Sequence, residues 1–387
     1  MKYLKQLKNK NLSKEICLLR IDLNIQNEDL RGIKNGLKQA IPFRIKAILP
    51  TIKFLIDRGA RVVILSHRGR PNPPKLGDYK PQITNYKELT LKPFVGIFSK
   101  LLKQKVIFAD LNSINTTKIK NSKPGSIFLL ENLRFFKGEE ENNAAFAEKL
   151  AKLGTFYVND AFAVSHRKNA SVAAITKFLP SYAGFQLEKE IENLTAVMKK
   201  PKKPLIIVMG GAKISDKIGL IKNFVKKTDA FLTGGGIANT FLAALGMPVG
   251  ESLYEKNMIP EARKILKEAP KKIFLPIDFV LDKKKILDIG PKTAELYSKK
   301  IQSAKTIIWN GPMGKFEDKK FAQGTYKIAK AILQNKKAKI IIGGGETLAS
   351  LQTKNYKLQI NVFLSTGGGA MLEYLSGLKL PGIESLK

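Results

Sequence analysis

The chain is poor in the residues that most enzymes use for proton transfer and metal binding. Its 387 residues include two histidines, His67 and His166, and one cysteine, Cys17. A single cysteine forms no internal disulfide, so a reducing compartment is expected. Two histidines without ligand spacing give no zinc site. Acidic residues are scarce, 32 against 68 lysines and arginines, for a formal net charge of +36. No apolar run approaches the ~18 residues that cross a bilayer, and the N-terminal MKYLKQLKNK has no apolar core of a leader. Low-complexity tracts, internal repeats and the GxxxxGK[ST] phosphate loop are missing, so a P-loop protein is excluded. A soluble, cytoplasmic protein with no membrane partner is expected.

What is present is an ordinary globular composition, 44% hydrophobic, in a chain too long for one core. Two domains are expected. The charge suggests a polyanionic partner, but the lysines are scattered over most helical stretches without a recognition-helix or zinc pattern. A chain-wide lysine bias is preferred, with no specific nucleic acid. Apolar strand-like runs (Ile16–Ile21, Arg61–Ser66, Val106–Ala109, Ser126–Leu130, Thr155–Asn159) alternate with helical stretches (Arg44–Asp57, Lys87–Lys103, Asn142–Leu153). Ser181–Met198 reads as a long helix ending in the KKPKKP run. The alternation then resumes with Leu205–Met209, Ala230–Thr233, Ile273–Pro276, Thr306–Trp309, Ile340–Ile342 and Val362–Leu364. The pattern predicts an α/β protein: two parallel-sheet domains joined by a helix.

Pro204–Asn223, PLIIVMGGAKISDKIGLIKN, reads as strand, glycine turn and helix, with Ser215 as the cap and Lys213 and Lys217 at the turn. Glycine amides and a helix N-terminus favour an anion; the ordinary alternative is a tight turn with two surface lysines. In Leu18–Ile25, LLRIDLNI, period two puts Arg20, Asp22 and Asn24 on one face. A buried pair with an aspartate suffices for Arg20, whereas Asp22 and Asn24 stand where open α/β sheets bind ligands. Past other strands come His67 and Arg70, Arg134, and His166 and Arg167. Each is an ordinary surface pair by itself; together they can converge on one anion. Asp160 is read as satisfying local hydrogen bonds. Glycine clusters recur at Gly234–Gly236, Gly343–Gly345 and Gly367–Gly369, and Glu346 follows one as a possible Mg²⁺ ligand. Trp309–Glu317, WNGPMGKFE, offers a rigid wall for adenosine, with Glu317 for ribose hydroxyls.

With LLRIDLNI, RIKA (Arg44–Ala47), SHRGRP, LLENLRF, VNDAFAVSHR, GGAKISDK, WNGPMGKFE, GGGET and STGGGA in this order, the chain resembles the phosphoglycerate kinase family from end to end. The resemblance implies two Rossmann-like domains facing across a cleft. Residues 1–180 would hold 3-phosphoglycerate, 181–200 the interdomain helix, and 201–372 Mg-ADP or Mg-ATP, with the tail 373–387 packed back on the first domain. It places Asp22, Asn24, Arg44, His67, Arg70, Arg134 and Arg167 around the phosphoglycerate, and Arg44, Lys213 and Lys217 at the transferred phosphoryl group. Gly235, Asn310 and Glu317 would face the nucleotide, with Gly343, Gly344, Gly345, Glu346 and Thr347 and the cradle Gly367, Gly368 and Gly369 at its phosphates. Glu346 would hold the metal, in a position usually aspartate.

The implied reaction transfers the acyl phosphate of 1,3-bisphosphoglycerate to ADP, reversibly, giving ATP and 3-phosphoglycerate, in a monomer whose domains close. In reverse the nucleophile is a carboxylate, already ionised, so no general base is required. Further departures from the family pattern are Gln26 for proline, Arg68 for leucine and Lys315 for an apolar residue. Arg68 and Lys315 are expected to add positive charge near the cleft. The competing readings are another carboxylate or acyl-phosphate kinase, and a protein binding nucleic acid or an anionic surface.

Overall fold

Runs of Ile, Val, Leu and Phe, branched or aromatic and buried on both faces, build two parallel sheets. The structure, a computed structural model, describes residues 1–25, 41–71, 86–352 and 358–387; Gln26 lies outside them. The chain divides into Met1–Glu190 with Lys379–Lys387, and Ile191–Leu378.

In the first unit, β1 (Ile16–Arg20), β2 (Arg61–Leu65), β3 (Val106–Ala109), β4 (Ile127–Leu130), β5 (Phe156–Asn159) and β6 (Ser181–Ala183) are parallel, in the order β3-β4-β2-β1-β5-β6. Helix α1 (Phe43–Asp57) turns Ile45, Ile48, Ile52 and Leu55 onto the sheet, where they join the core with Leu19, Val62 and Ile64. Helix α2 (Pro93–Leu102) starts at Pro93, inside the stretch Lys87–Lys103 read as helical; proline suits a first turn because that N–H has no partner anyway. Helix α3 is Ala144–Ala151, capped by the Asn143 side chain on Phe146 N–H at 2.9 Å.

The long helix expected over Ser181–Met198 is instead β6 followed by α4 (Phe185–Lys199). Gly184 separates them: a β-carbon there would run into the Asp160 carboxylate. That carboxylate accepts the Leu187 N–H at 2.9 Å, in the first turn of α4, which is the local role read for Asp160. The division between the units falls at Glu190/Ile191, inside α4. The tail folds with the first unit from Lys379 on. Gly382 N–H donates to Ser165 O at 2.8 Å, and Asn159 Nδ2 donates to Gly382 O at 3.1 Å. Residues Glu373–Leu378, expected in that tail, belong to the second unit.

In the second unit β7 (Leu205–Met209), β8 (Ala230–Thr233), β9 (Ile273–Phe274), β10 (Phe279–Asp282), β11 (Lys285–Ile289), β12 (Thr306–Asn310), β13 (Lys339–Gly343) and β14 (Val362–Leu364) follow. Six make a parallel sheet in the order β14-β13-β12-β7-β8-β9, while β10 and β11 form a separate antiparallel hairpin that the sequence pattern did not announce. The helices are α5 (Ile218–Phe224), α6 (Gly235–Ala244), α7 (Ile259–Glu268), α8 (Pro291–Ser303), α9 (Gln323–Gln334), α10 (Gly345–Gln352) and α11 (Gly368–Leu375). β7 has β8 on one side and β12 on the other, so the chain reverses direction across the sheet beside β7, where such sheets hold ligands.

Candidate functional site

In the first unit the polar groups gather past the C-terminal ends of β1, β2 and β4. Asp22 is buried, and its Oδ2 accepts from Arg44 Nη1 at 2.9 Å. Arg44 also donates to Asn24 O at 3.2 Å, and Asn24 Oδ1 accepts Gly69 N–H at 2.9 Å. Arg134 donates to Gly69 O at 2.6 Å and lies 3.3 Å from the Glu140 carboxylate. Burial chiefly pushes the Arg134 pKa down to about 10, with Arg167 and Arg20 adding to it, so it stays charged at neutral pH.

Arg20 is fully buried, but Asp22 is not its acid. It donates to Ser171 Oγ at 2.8 Å and to Ile21 O, and lies 3.9 Å from Glu139, which itself accepts Ser171 N–H and O–H. Its Nη2 meets His67 Nδ1 at 3.1 Å. A guanidinium only donates, so Nδ1 accepts and the neutral imidazole carries its proton on Nε2. Burial, then the charges of Arg20, Arg134, Arg167 and Arg44, hold the His67 pKa well below its usual value. The contact with Asp22 at 3.9 Å is therefore no ion pair. The structure thus brings Asp22, Asn24, Arg44, His67 and Arg134 together, with Arg167 near enough for its charge to act on two of them. Arg70 is exposed beyond Gly69. Arg68 does not add charge to the surface: it is buried, its Nε donates to Ile25 O at 2.9 Å, and its guanidinium lies 5.7 Å from the Phe94 ring. Glu139 and Ser171 carried no sequence signal, because their partner is more than 100 residues away.

In the second unit the glycine loops pack on one another. Gly210 N–H donates to Asn310 O at 3.0 Å and Gly211 N–H to Pro312 O at 2.9 Å, so these amides hold backbone rather than an anion. The expected helix does not follow the glycines directly. A 3₁₀ turn, Ser215–Lys217, precedes α5. Ser215 caps nothing: its N–H and O–H both donate to Glu255, at 2.9 and 2.7 Å. A β-carbon on Gly368 would stand 3.1 Å from Gly344 Cα, so the starts of α10 and α11 abut. First-turn N–H groups have no partner within a helix, and two such ends side by side can cradle an anion.

Lys217 Nζ and Glu346 Oε2 lie 3.8 and 4.0 Å from the place where a Gly211 β-carbon would stand. Burial lowers the Lys217 pKa, opposed by Asp216, Glu346 and Glu255. Lys213, four residues before it, and Glu346 are exposed, as are Lys315 and Glu317 on their own loop. Two expected nucleotide contacts have structural duties. Asn310 Nδ2 donates to Gly343 O at 2.8 Å, and Thr347 Oγ1 accepts Gly311 N–H at 2.7 Å. A cleft beside the glycine loops is lined by Gly235, Asn239, Phe279, Leu287, Asp288 and Met313, among others. Asn239 and Asp288 were not read as site residues; the hairpin that brings Asp288 there was invisible in the pattern.

The family model described as phosphoglycerate kinase matches residues 7–378. The phosphoglycerate kinase of Dictyoglomus turgidum is 41% identical over 98% of this chain and 98% of its own length. That of Thermosipho africanus is 42% identical over 95% of this chain and 94% of its own. Among solved structures, phosphoglycerate kinase from Coxiella burnetii aligns with a TM-score of 0.78 at 37% identity, covering 98% of this chain and 97% of that one. The Pyrococcus horikoshii enzyme aligns with a TM-score of 0.82 at 33% identity, covering 100% and 98%.

Proposed function

The chain belongs to the phosphoglycerate kinase family, and on that premise we propose that its first unit binds 3-phosphoglycerate and its second unit the nucleotide. The reaction is the glycolytic phosphotransfer between 1,3-bisphosphoglycerate and ADP. Asp22, Asn24, Arg44, His67, Arg70, Arg134 and Arg167 bind the phosphoglycerate. The observation that carries this reading is a cationic cluster whose aspartate and first histidine are both engaged: Asp22 is tied to Arg44, and His67 is neutral with Nδ1 occupied by Arg20. Such a site suits an anionic substrate whose own carboxylate is the nucleophile. His67 Nε2–H and the arginines orient it, and Arg44, Lys213 and Lys217 balance the charge of the phosphoryl group in transit.

On the second unit, Gly343–Gly345, Glu346 and Thr347 at the start of α10, with Gly367–Gly369 at the start of α11, hold the nucleotide phosphates. The adjacent cleft, apolar at Phe279, Leu287 and Met313 and sharing Gly235 with the glycine loops, takes the base. Asn310 keeps that wall in register, and Glu317 serves the ribose. The donor set fits Mg²⁺: magnesium needs few protein carboxylates when phosphates supply the rest, and Glu346 is one exposed carboxylate close to Lys217. Bound with the nucleotide, the ion would neutralise phosphate charge. A cytoplasmic monomer is part of the proposal. Among the described residues no helix is long and apolar enough to cross a membrane.

The test is ATP-dependent turnover of 3-phosphoglycerate with Mg²⁺. Lys213→Ala should lower turnover by on the order of 10²-fold or more, the usual effect of removing one preorganised charge. Arg167→Ala should raise KM for 3-phosphoglycerate far more than for ATP. Near-normal turnover of the first variant, or equal losses in the second, would overturn the assigned roles.

A further inference from the structure

We propose that Glu255 is a positioning residue for phosphotransfer: it holds the turn that carries Lys213 and Lys217, and so keeps both ammonium groups in place for the phosphoryl group. The inference rests on the reading of those two lysines given above. Glu255 lies between α6 and α7, forty residues past Ser215. Its two carboxylate oxygens are divided between the two donors of Ser215. Oε2 accepts the N–H at 2.9 Å and Oε1 the O–H at 2.7 Å. Bonds to an ionised acceptor are about twice as strong as neutral ones. Ser215 itself is exposed, and so are Lys213 and Asp216. Among the described residues, Glu255 supplies the side-chain hydrogen bonds that tie 212–217 to the rest of the unit.

The clasp is itself anchored. Glu255 N–H donates to Thr240 Oγ1 at 3.1 Å, and that buried hydroxyl donates to Gly236 O at 2.7 Å, both on α6. The backbone of Ala212 passes against the same Gly236, where a β-carbon would stand 2.2 Å from Ala212 O. The turn is thus pinned to α6 at two points, directly at Ala212 and through Glu255 at Ser215, and Lys213 lies between them. Lys217 closes the turn, its N–H donating to Ile214 O at 2.9 Å. Charge acts in the same direction. Burial, which would raise the Glu255 pKa, is outweighed by the Ser215 bonds and the charge of Lys213, so the group stays below its ordinary value. Burial lowers the Lys217 pKa, and Glu255 is one of three carboxylates that oppose it. A displacement of about 1 Å at a catalytic group costs on the order of 10²-fold in rate. The role of Glu255 is therefore in turnover, through the lysines, rather than in substrate affinity.

The experiment measures kcat and both KM values with ATP and 3-phosphoglycerate. Glu255→Ala should lower kcat by about ten- to a hundred-fold. Both KM values should stay within about two-fold of the wild type, the pattern of an interaction made in the transition state. Ser215→Ala, which removes one of the two bonds, should lose less. Ser215→Thr, which keeps the hydroxyl, should return to near the wild-type value. The double variant Glu255→Ala/Ser215→Ala should be no slower than Glu255→Ala alone, because a bond already broken cannot be lost twice. A purely structural tie would lower the melting temperature and leave kcat where it was. Wild-type kcat in folded Glu255→Ala, or losses that add in the double variant, overturns the proposal. If Glu255→Ala does not fold, the Ser215 pair decides: wild-type kcat in Ser215→Ala overturns the proposal, and a loss recovered in Ser215→Thr supports it. Lys213→Ala and Lys217→Ala test the underlying reading separately. If kcat is normal in both, both readings fall. If kcat is low there while the Glu255 variants turn over normally, only the present inference falls.

Discussion

Buried ionisable groups in this chain do opposite things according to their partners. His67 is kept neutral by burial and by four arginines, and its tautomer is set by Arg20. Asp288 lies 2% exposed on β11 beside the first turn of α9 and the loop that carries Met313. Burial raises its pKa to about 7, although two backbone N–H groups oppose the rise. An unfolded aspartate titrates near 4. Between about pH 4 and pH 7 the folded state therefore holds a proton that the unfolded state has released. This contribution is fully present below that window and is lost as the pH climbs through it; above pH 7 the dependence is flat. One proton changes stability by at most about 1.4 kcal/mol per pH unit. Trp309, the only tryptophan and fully buried in the second unit, reports the unfolding of that unit. Urea midpoints read from its fluorescence should fall across the window more steeply in the wild type than in Asp288→Asn, which has no carboxyl to titrate. Parallel curves would show that Asp288 is ionised throughout.

Most strands were legible because a fully buried parallel strand writes an unbroken apolar run, and the breaks between them were marked by glycine and charge. What the sequence concealed was the use of the polar and glycine residues at their ends. Arg20 was read with a nearby aspartate, but pairs with Glu139. Ser215 was read as a cap, but Glu255, forty residues on, takes both its donors. The glycines after β7 looked like an anion loop, yet they serve the approach of one backbone to another, with Gly210 against Pro312 and Gly236 against Ala212. Such contacts depend on which loops the sheet order brings side by side, and no local pattern contains that. The distinction is measurable. A β-carbon at Gly236 would stand 2.2 Å from Ala212 O, backbone that cannot turn aside. Gly236→Ala should destabilise the second unit by about 1–3 kcal/mol, as overpacking does. Gly345, in the first turn of α10, has nothing within 4 Å of the same position. Gly345→Ala should be neutral or stabilising by up to about 1 kcal/mol, the helix preference of alanine. Equal effects in thermal melts would refute the division between packing and open glycines.

At the scale of the molecule, 32 carboxylates face 68 lysines and arginines. Not all of this cationic charge is on the surface: Arg20, Arg68 and Arg134 are buried, while most lysines stand exposed on the helices. A field of one sign has two consequences of opposite direction. It draws anionic substrates toward the protein, and it strains the folded state by self-repulsion. Both weaken as salt shortens the screening length, from about 20 Å near 20 mM to about 7 Å near 200 mM. Over that range of potassium chloride, the KM for 3-phosphoglycerate should rise several-fold while the melting temperature also rises. A binding site that depended only on local pairing would leave KM nearly flat. The same titration separates the remaining reading of the charge. A surface evolved for nucleic acid would hold duplex DNA at physiological salt, with an affinity falling steeply and linearly on logarithmic axes. Scattered lysines without base-reading groups should give only weak binding that disappears there, while turnover persists. Tight DNA binding at 150 mM salt in a protein without kinase activity would reverse that conclusion, making the charge, rather than the two anion sites, the centre of its function.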